Sequence, residues 1–151
     1  MIELAQLKIL GLVALAMGLG AIIGFERELA DKPAGLRTHM FVAGASCLFV
    51  ALGDVLITHF DAEISGSVLR TDPIRVIQAV ITGVSFLGAG TIIRGDSTRK
   101  VQGLTTAASI LIASAVGVCV AVNQIILAAG VSALALITLR GIGAAEHRMR
   151  K

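Results

Sequence analysis

Five long apolar blocks alternate with short polar segments along the chain. The blocks are Ile9–Phe25, Met40–Gly53, Val76–Ile93, Leu104–Val122 and Ile125–Leu139. A helix that crosses a bilayer needs about 20 largely apolar residues. Blocks one, three and four have suitable lengths, block two does if it runs past Asp54 to Thr58, and block five does with Gln124 and Arg140 as its ends. Because the blocks are apolar all round, the pattern predicts five transmembrane helices rather than a soluble bundle.

A gap-free repeat relates residues 19–52 to residues 87–120, a shift of 68 positions. Ten of these 34 positions are identical, and the identities fall at both ends of the loop between two apolar blocks. They are Leu19–Ala21, Lys32, Gly35, Leu36, Thr38, Ala45, Ser46 and Val50, with their counterparts 68 residues later. The sequence therefore predicts an all-α integral membrane protein with two tandem parallel helix hairpins, spans one–two and three–four, followed by a fifth span.

The basic residues indicate how the chain lies in the membrane. With five spans, Lys8, Arg70 and Arg75 lie on one side and the other ten of the 13 Lys and Arg on the opposite side. Cytoplasmic segments carry the excess of Lys and Arg, so the N-terminus is predicted outside and the C-terminus inside. The net charge of +3 is no sign of nucleic-acid binding, since the basic residues are spread over the loops and no aromatic residues are interleaved with them there. Residues 1–140 are predicted as a transmembrane domain and residues 141–151 as a short basic cytoplasmic tail.

The charged residues around the first loop are the main candidates for a polar site. Glu26, Glu28 and Asp31 could bind a divalent cation, or Arg27 and Lys32 among them could neutralise them as ion pairs. No metal-ligand spacing and no cofactor motif is present elsewhere. We predict that Glu26 pairs with Arg37 or Arg94, which the topology places at the same depth; the alternative is that these charges extend separately into water.

Polar residues within the predicted spans form a second set of candidates. Asp54 lies near the outer end of span two, either as a functional carboxylate or at headgroup depth, where Lys8 could pair with it. Gln78, Thr82 and Ser85 share one face of span three with Ala89, and that face is expected to meet other helices or a hydrated cavity.

A stripe of small residues and two thiols complete the intramembrane features. Ala16, Gly20 and Gly24 recur every four residues in span one, as in helices that pack closely, either within the chain or against a second copy. Cys47 and Cys119 are interpreted as small packing residues. No catalytic constellation of nucleophile, base and supporting glycines is present, so the sequence does not indicate an enzyme.

Two motifs resemble the signatures of the MgtC/SapB family of bacterial membrane proteins. The first is Gly24–Glu28 followed by Lys32–His39, and the second is Asp72-Pro73 with Gly83–Arg94 and Gly103–Ala108. The resemblance marks nine functional candidates: Glu26, Arg27, Arg37, Thr38, Asp72, Arg94, Gly103, Thr105 and Thr106. Many members of that family continue into a cytoplasmic domain after the fifth span, whereas this sequence stops at Lys151.

The resemblance implies a protein of the bacterial inner membrane that acts in adaptation to low magnesium, to acid or to life inside a host. At least one family member is linked to restraint of the F-type ATP synthase, which implies a regulatory or interaction role and a membrane-protein partner. The alternative is a small transporter or channel for magnesium or another ion. That alternative depends on the repeat, the polar face of span three and Asp54.

Overall fold

A computed structural model of the chain describes residues 2–63, 72–93 and 103–149. The described residues form helices α1 (Ile2–Leu29), α2 (Leu36–Glu63), α3 (Pro73–Ile93), α4 (Leu104–Ala121) and α5 (Ile125–Met149). These ranges contain no strand, so the predicted all-α class is confirmed there. Helices α1 to α4 are each long and apolar enough to cross a bilayer, while the apolar part of α5, Ile125–Gly141, is shorter.

The helix boundaries follow from local hydrogen bonding. The Asp72 carboxylate accepts a hydrogen bond from the backbone N–H of Ile74 at 3.0 Å, and Pro73 occupies the first helical position of α3, as the sequence predicts. Asn123, at a positive φ of 61°, makes the tight turn between α4 and α5. These two boundaries could be located from residue type alone.

The start of α2 differs from the prediction. Thr38 is a candidate cap by residue type, but the helix already begins at Leu36, which places Thr38 inside its first turn. The Glu28 carboxylate, at the end of α1, accepts a hydrogen bond from the Leu36 N–H at 2.7 Å. A carboxylate at a helix N-terminus also interacts favourably with the helix dipole. Glu28, at the end of α1, therefore caps α2 in place of Thr38.

Two helices extend beyond their predicted limits. The segment from about Thr58 to Thr71 is expected to be a loop, either mobile or with a short surface helix. In the structure α2 continues into it to Glu63, and residues 64–71 lie outside the described residues. Helix α5 continues to Met149, past the boundary at residue 140 between the predicted domain and tail.

Helix α4 lies at the centre of the bundle, since it contacts all four other helices. Helices α1 and α2 form one hairpin and α3 and α4 the other, while α5 packs on α1 and α4. One core cluster joins Ala16 and Ile23 of α1 to Cys47 of α2 and to α4 and α5. A second cluster joins α2, α3 and α4 around Val42, Val84, Ile110 and other residues.

Several contacts agree with the 68-residue repeat. Helices α2 and α4 begin at Leu36 and Leu104, which are equivalent positions. A Cβ on Gly20 would meet the backbone of His39, and one on Gly88 would meet Ala107, the residue equivalent to His39. The two glycines therefore let each hairpin close tightly at the same point.

Candidate functional site

A buried ion pair lies where α1 ends, at the predicted cytoplasmic end of the bundle. The guanidinium of Arg27 donates two hydrogen bonds to the Glu26 carboxylate, from Nε to Oε2 at 2.6 Å and from Nη2 to Oε1 at 2.9 Å. Both residues are buried, with 5% and 7% of their surface exposed. A bidentate pair of this kind satisfies the carboxylate in an environment where an isolated charge would be costly.

His39 connects the two hairpins. Its ring is fully buried at the start of α2, with Nδ1 2.8 Å from the Gly35 carbonyl oxygen and Nε2 2.9 Å from Ser109 Oγ on α4. Because a carbonyl oxygen only accepts, Nδ1 carries a proton. Ser109 Oγ also lies 2.8 Å from the Thr106 carbonyl oxygen, and its single proton serves either that oxygen or Nε2 of His39. Glu26 and Arg27 both lie close enough to act electrostatically on the ring.

A second hydrogen bond between the repeats lies deeper in the bundle. Ser46 Oγ of α2 and Ser114 Oγ of α4 are 2.8 Å apart, and these residues are equivalent positions of the repeat. A Cβ on Gly117 would collide with the backbone of Ala43, so the absence of a side chain there lets α2 and α4 approach closely. The interface between the repeats is therefore polar and tightly packed along α2 and α4.

A separate cavity lies at the predicted outer end of the bundle. It has a volume of about 490 Å³ and is bounded by α1, α2, α3 and the end of α4. Lys8 of α1 and Asp54 of α2 line it together with apolar residues. The sequence-based expectation that Lys8 and Asp54 lie at a similar depth is therefore confirmed, and both are exposed to the cavity or its surroundings.

A sequence model described as the MgtC family matches residues 13–148 of this chain. The chain belongs to the MgtC family. This assignment confirms the resemblance seen in the two sequence motifs, and the helices identify a multi-pass membrane protein.

Named relatives within the MgtC family match this chain over about half its length. Protein SapB of Bacillus subtilis is 37% identical over 51% of this chain and 32% of its own length. The Escherichia coli K12 protein named "Putative magnesium transporter YhiD" is 38% identical over 54% of this chain and 36% of its own length. Protein MgtC of Brucella abortus is 38% identical over 47% of this chain and 25% of its own length. No solved structure matches the chain significantly.

The structure brings part of the first MgtC-family motif together. Glu26 and Arg27 are buried as a pair, while Arg37 is exposed and Thr38 is half-buried in the first turn of α2. The predicted partners of Glu26 were Arg37 or Arg94; its partner in the structure is Arg27, and Arg94 lies outside the described residues. The neighbouring guanidinium reaches both carboxylate oxygens without crossing between helices.

The second motif contributes mainly to helix starts. Gly103 precedes α4 with φ of +91°, a conformation that other residues rarely adopt, and a Cβ there would meet the Thr91 carbonyl. Thr106 is buried next to Ser109, whereas Thr105 is exposed. Asp72 is exposed and lies at the other end of α3, where it caps that helix.

The structure shows which way two of the predicted intramembrane surfaces face within the chain. Gln78, Thr82 and Ser85 are exposed, so the polar face of α3 points away from the bundle and not towards its interior. Ala16, Gly20 and Gly24 are buried within the chain, where a Cβ on either glycine would meet α2. The small-residue stripe therefore packs α1 against α2 inside the bundle, which is the first of the two alternatives for it.

Two of the three carboxylates around the first loop have protein partners in this structure. Glu26 pairs with Arg27, which agrees with the ion-pair interpretation of these charges. Glu28 accepts a hydrogen bond from the Leu36 N–H and so caps α2. Among the side chains that the structure describes, no group of three or more His, Cys, Asp or Glu residues gathers to hold a metal ion. Cys47 and Cys119 are free thiols, with Cys47 fully buried in the core.

Sequence reasoning missed the most connected residues of the site. His39 and Ser109 form the hydrogen bond between the hairpins, and Ser46 and Ser114 form another. The pair of serines carried a usable signal, because both are identities of the repeat. The repeat gave no signal for His39, since its equivalent position in the second hairpin is Ala107, and its place at the end of the first motif was the signal that could have found it.

Proposed function

We propose that this protein is a regulatory or interaction protein of the bacterial inner membrane, acting in adaptation to magnesium limitation, acid or other stress. Its N-terminus lies outside and its C-terminus in the cytoplasm, as the distribution of basic residues favours. Its partner is another membrane protein, with the F-type ATP synthase as the candidate that the family suggests. The observation that carries this proposal is the closed polar cluster at the predicted cytoplasmic end.

Every polar group of that cluster is engaged within the chain. The two oxygens of Glu26 bind one guanidinium, and the two ring nitrogens of His39 bind Gly35 and Ser109. Among the described residues, no buried side-chain nitrogen or oxygen lacks a hydrogen-bond partner. A conducting pathway instead offers oxygen ligands that replace the hydration shell of an ion. Within the cluster, His39 and Ser109 link α2 to α4, and the ion pair closes the end of α1 beside them.

Next to this cluster in the chain lies an exposed charged surface, which we define as Asp31, Lys32 and Arg37. Asp31 adopts a positive φ of 53° in the turn after α1, and Arg37 lies in the first turn of α2. Charged residues at the rim of an interface set partner choice and association rate. A membrane-protein partner would recognise this surface from the cytoplasmic side.

A pull-down from native membranes tests this interaction: the proteins that co-purify with this chain are compared between the parent and a variant of the charged surface. Replacing Lys32→Glu and Arg37→Glu together should reduce partner recovery while the protein level in the membrane stays unchanged, because both side chains are exposed. Lys8→Glu, at the opposite end of the bundle, is the matched control and should leave recovery unchanged. Equal recovery with both variants would contradict an interaction through the Asp31–Arg37 surface.

A second candidate function, ion transport, has its own observation. The outer cavity is lined by Asp54 and Lys8 where α1 to α4 converge, and one relative is named as a magnesium transporter candidate. Purified protein in liposomes should then carry magnesium or another cation, and Asp54→Asn should reduce that flux because it removes the carboxylate. Flux equal to that of empty liposomes would remove this candidate.

A further inference from the structure

Four residues of α3 form a surface that faces away from the rest of the chain. Gln78, Thr82, Ser85 and Ala89 recur at spacings of four, three and four, and all four are exposed. We call them the α3 outer stripe. The residues of α3 that pack in the core, Val80 and Val84 among others, lie about half a turn around the helix from this stripe. The stripe therefore points towards lipid in an isolated chain.

The stripe is poorly suited to lipid. Hydrocarbon offers no hydrogen bonds, so exposed amides and hydroxyls lose those they make in water. Thr82 is satisfied by the Gln78 carbonyl oxygen at 2.8 Å, within its own helix. The side-chain amide of Gln78 makes no hydrogen bond with the described residues, although it lies inside the apolar segment Ile74–Ile92. Another polar surface is needed to cover it.

We propose that this surface is the α3 outer stripe of a second copy of the chain. A two-fold axis along the membrane normal would place α3 parallel to α3, so that each stripe residue opposes its own copy. The stripe can pair with itself. An amide both donates and accepts, so Gln78 can bond Gln78 of the partner subunit, and serine can do the same.

The structure contains a close precedent for such a contact. Ser46 and Ser114, equivalent positions on the parallel helices α2 and α4, already form a hydrogen bond of 2.8 Å between their hydroxyls. The stripe contains no charged residue, so identical faces can meet without repulsion. Its small members Ser85 and Ala89 permit a close approach of two backbones. Ile81 and Phe86, which are 45% and 82% exposed, flank the stripe and supply apolar contact on either side.

The nearest charge does not oppose the contact. Arg75 lies at the predicted outer end of α3 and lines a groove of about 840 Å³ between α2 and α3. It lies about one helical turn before Gln78 on the same side of α3. At this outer end its guanidinium can extend into the water-exposed headgroup region, away from the Arg75 of a second copy. The small-residue stripe of α1 is already used within the chain, which leaves α3 as the helix whose polar face has no intramolecular partner among the described helices.

Cysteine cross-linking in native membranes tests this arrangement. In a Cys119→Ala background, which keeps only the fully buried Cys47, single Thr82→Cys and Ser85→Cys variants are oxidised with copper phenanthroline. Both should form disulfide-linked dimers of this chain. Leu134→Cys, on an exposed position in the middle of α5, is the matched control and should stay at the level of the parent protein.

A second variant tests the role of the amide. Gln78→Leu, measured by energy transfer between labelled copies diluted in liposomes, should weaken association by about threefold to tenfold, as expected for loss of an interhelical hydrogen bond in a membrane. Three results would overturn the proposal. They are equal cross-linking at Ser85→Cys and Leu134→Cys, cross-linking at Ser85→Cys to a different protein or to none, and unchanged association of Gln78→Leu.

Discussion

Two glycines of α1 provide a direct test of how the first hairpin packs. Gly18 and Gly20 lie two residues apart on the same helix. A Cβ on Gly20 would lie 2.6 Å from the His39 carbonyl oxygen and 2.8 Å from Ala43 Cβ, whereas a Cβ on Gly18 would meet nothing within 4 Å. Gly18→Ala and Gly20→Ala therefore add the same methyl group to the same helix, once into open space and once against α2.

The difference in the free energy of unfolding between the two variants measures the cost of forcing a methyl group against α2. Each gains the same helix preference of alanine over glycine, about 1 kcal/mol in water, and this gain cancels in the comparison. Overpacking typically costs about 1–3 kcal/mol. The obstacle at Gly20 is backbone, which no side-chain rotation can move aside, so we expect Gly20→Ala to be about 2–3 kcal/mol less stable than Gly18→Ala.

Unfolding in detergent–SDS mixtures, followed by circular dichroism, measures this difference. Helix content is the suitable signal because the chain contains no Trp or Tyr. Gly88→Ala serves as a graded control, since a Cβ there would lie 3.3 Å from the Ala107 Cβ and needs only a small adjustment. The stability of Gly88→Ala relative to the parent protein should fall between those of Gly18→Ala and Gly20→Ala. Equal stability of Gly18→Ala and Gly20→Ala would refute the close contact between α1 and α2.

Three further predictions concern the ion pair, the histidine and the topology. Arg27→Met leaves the Glu26 carboxylate buried without a cation and should lower the free energy of unfolding by about 3–5 kcal/mol. Adding Glu26→Gln should restore most of that stability, and a double variant as unstable as Arg27→Met would argue against the pair. A double-mutant cycle of His39→Ala and Ser109→Ala in the same unfolding assay should give a coupling of about 1 kcal/mol, and zero coupling would exclude the bond between hairpins. A reporter fused after Lys151 should give a cytoplasmic signal, and a periplasmic one would contradict the charge distribution.

The hydrophobic pattern was enough to predict the helices of this protein. Apolar blocks of spanning length can form only helices or closed barrels in a bilayer, and blocks without strand alternation form helices. The 68-residue repeat is also reflected in the structure, since α2 and α4 begin at the equivalent residues Leu36 and Leu104. Helix ends were less predictable: α2 and α5 extend beyond the apolar residues, where the pattern that signals a span stops.

The candidate site was predicted only in part. Glu26 and Arg27 were singled out because charges beside an apolar span are costly, and both are buried. The explicit prediction paired Glu26 with Arg37 or Arg94, and the pairing with Arg27 was given only as the alternative to a cation site, because the choice among nearby cations depends on side-chain geometry. The partner of Glu28 was missed for a similar reason, since it is a backbone N–H that carries no sequence signal.

The sequence by itself determined the class of fold, the family and the residues that cannot lie unpaired in lipid. Composition and periodicity act locally, so they can be read along the chain. Only the tertiary structure decided which faces meet. It placed His39 against Ser109, buried the small-residue stripe of α1 inside the bundle and turned Gln78 outward. The rotation of each helix about its axis depends on the packing of all its neighbours together, and no single stretch of sequence contains that information.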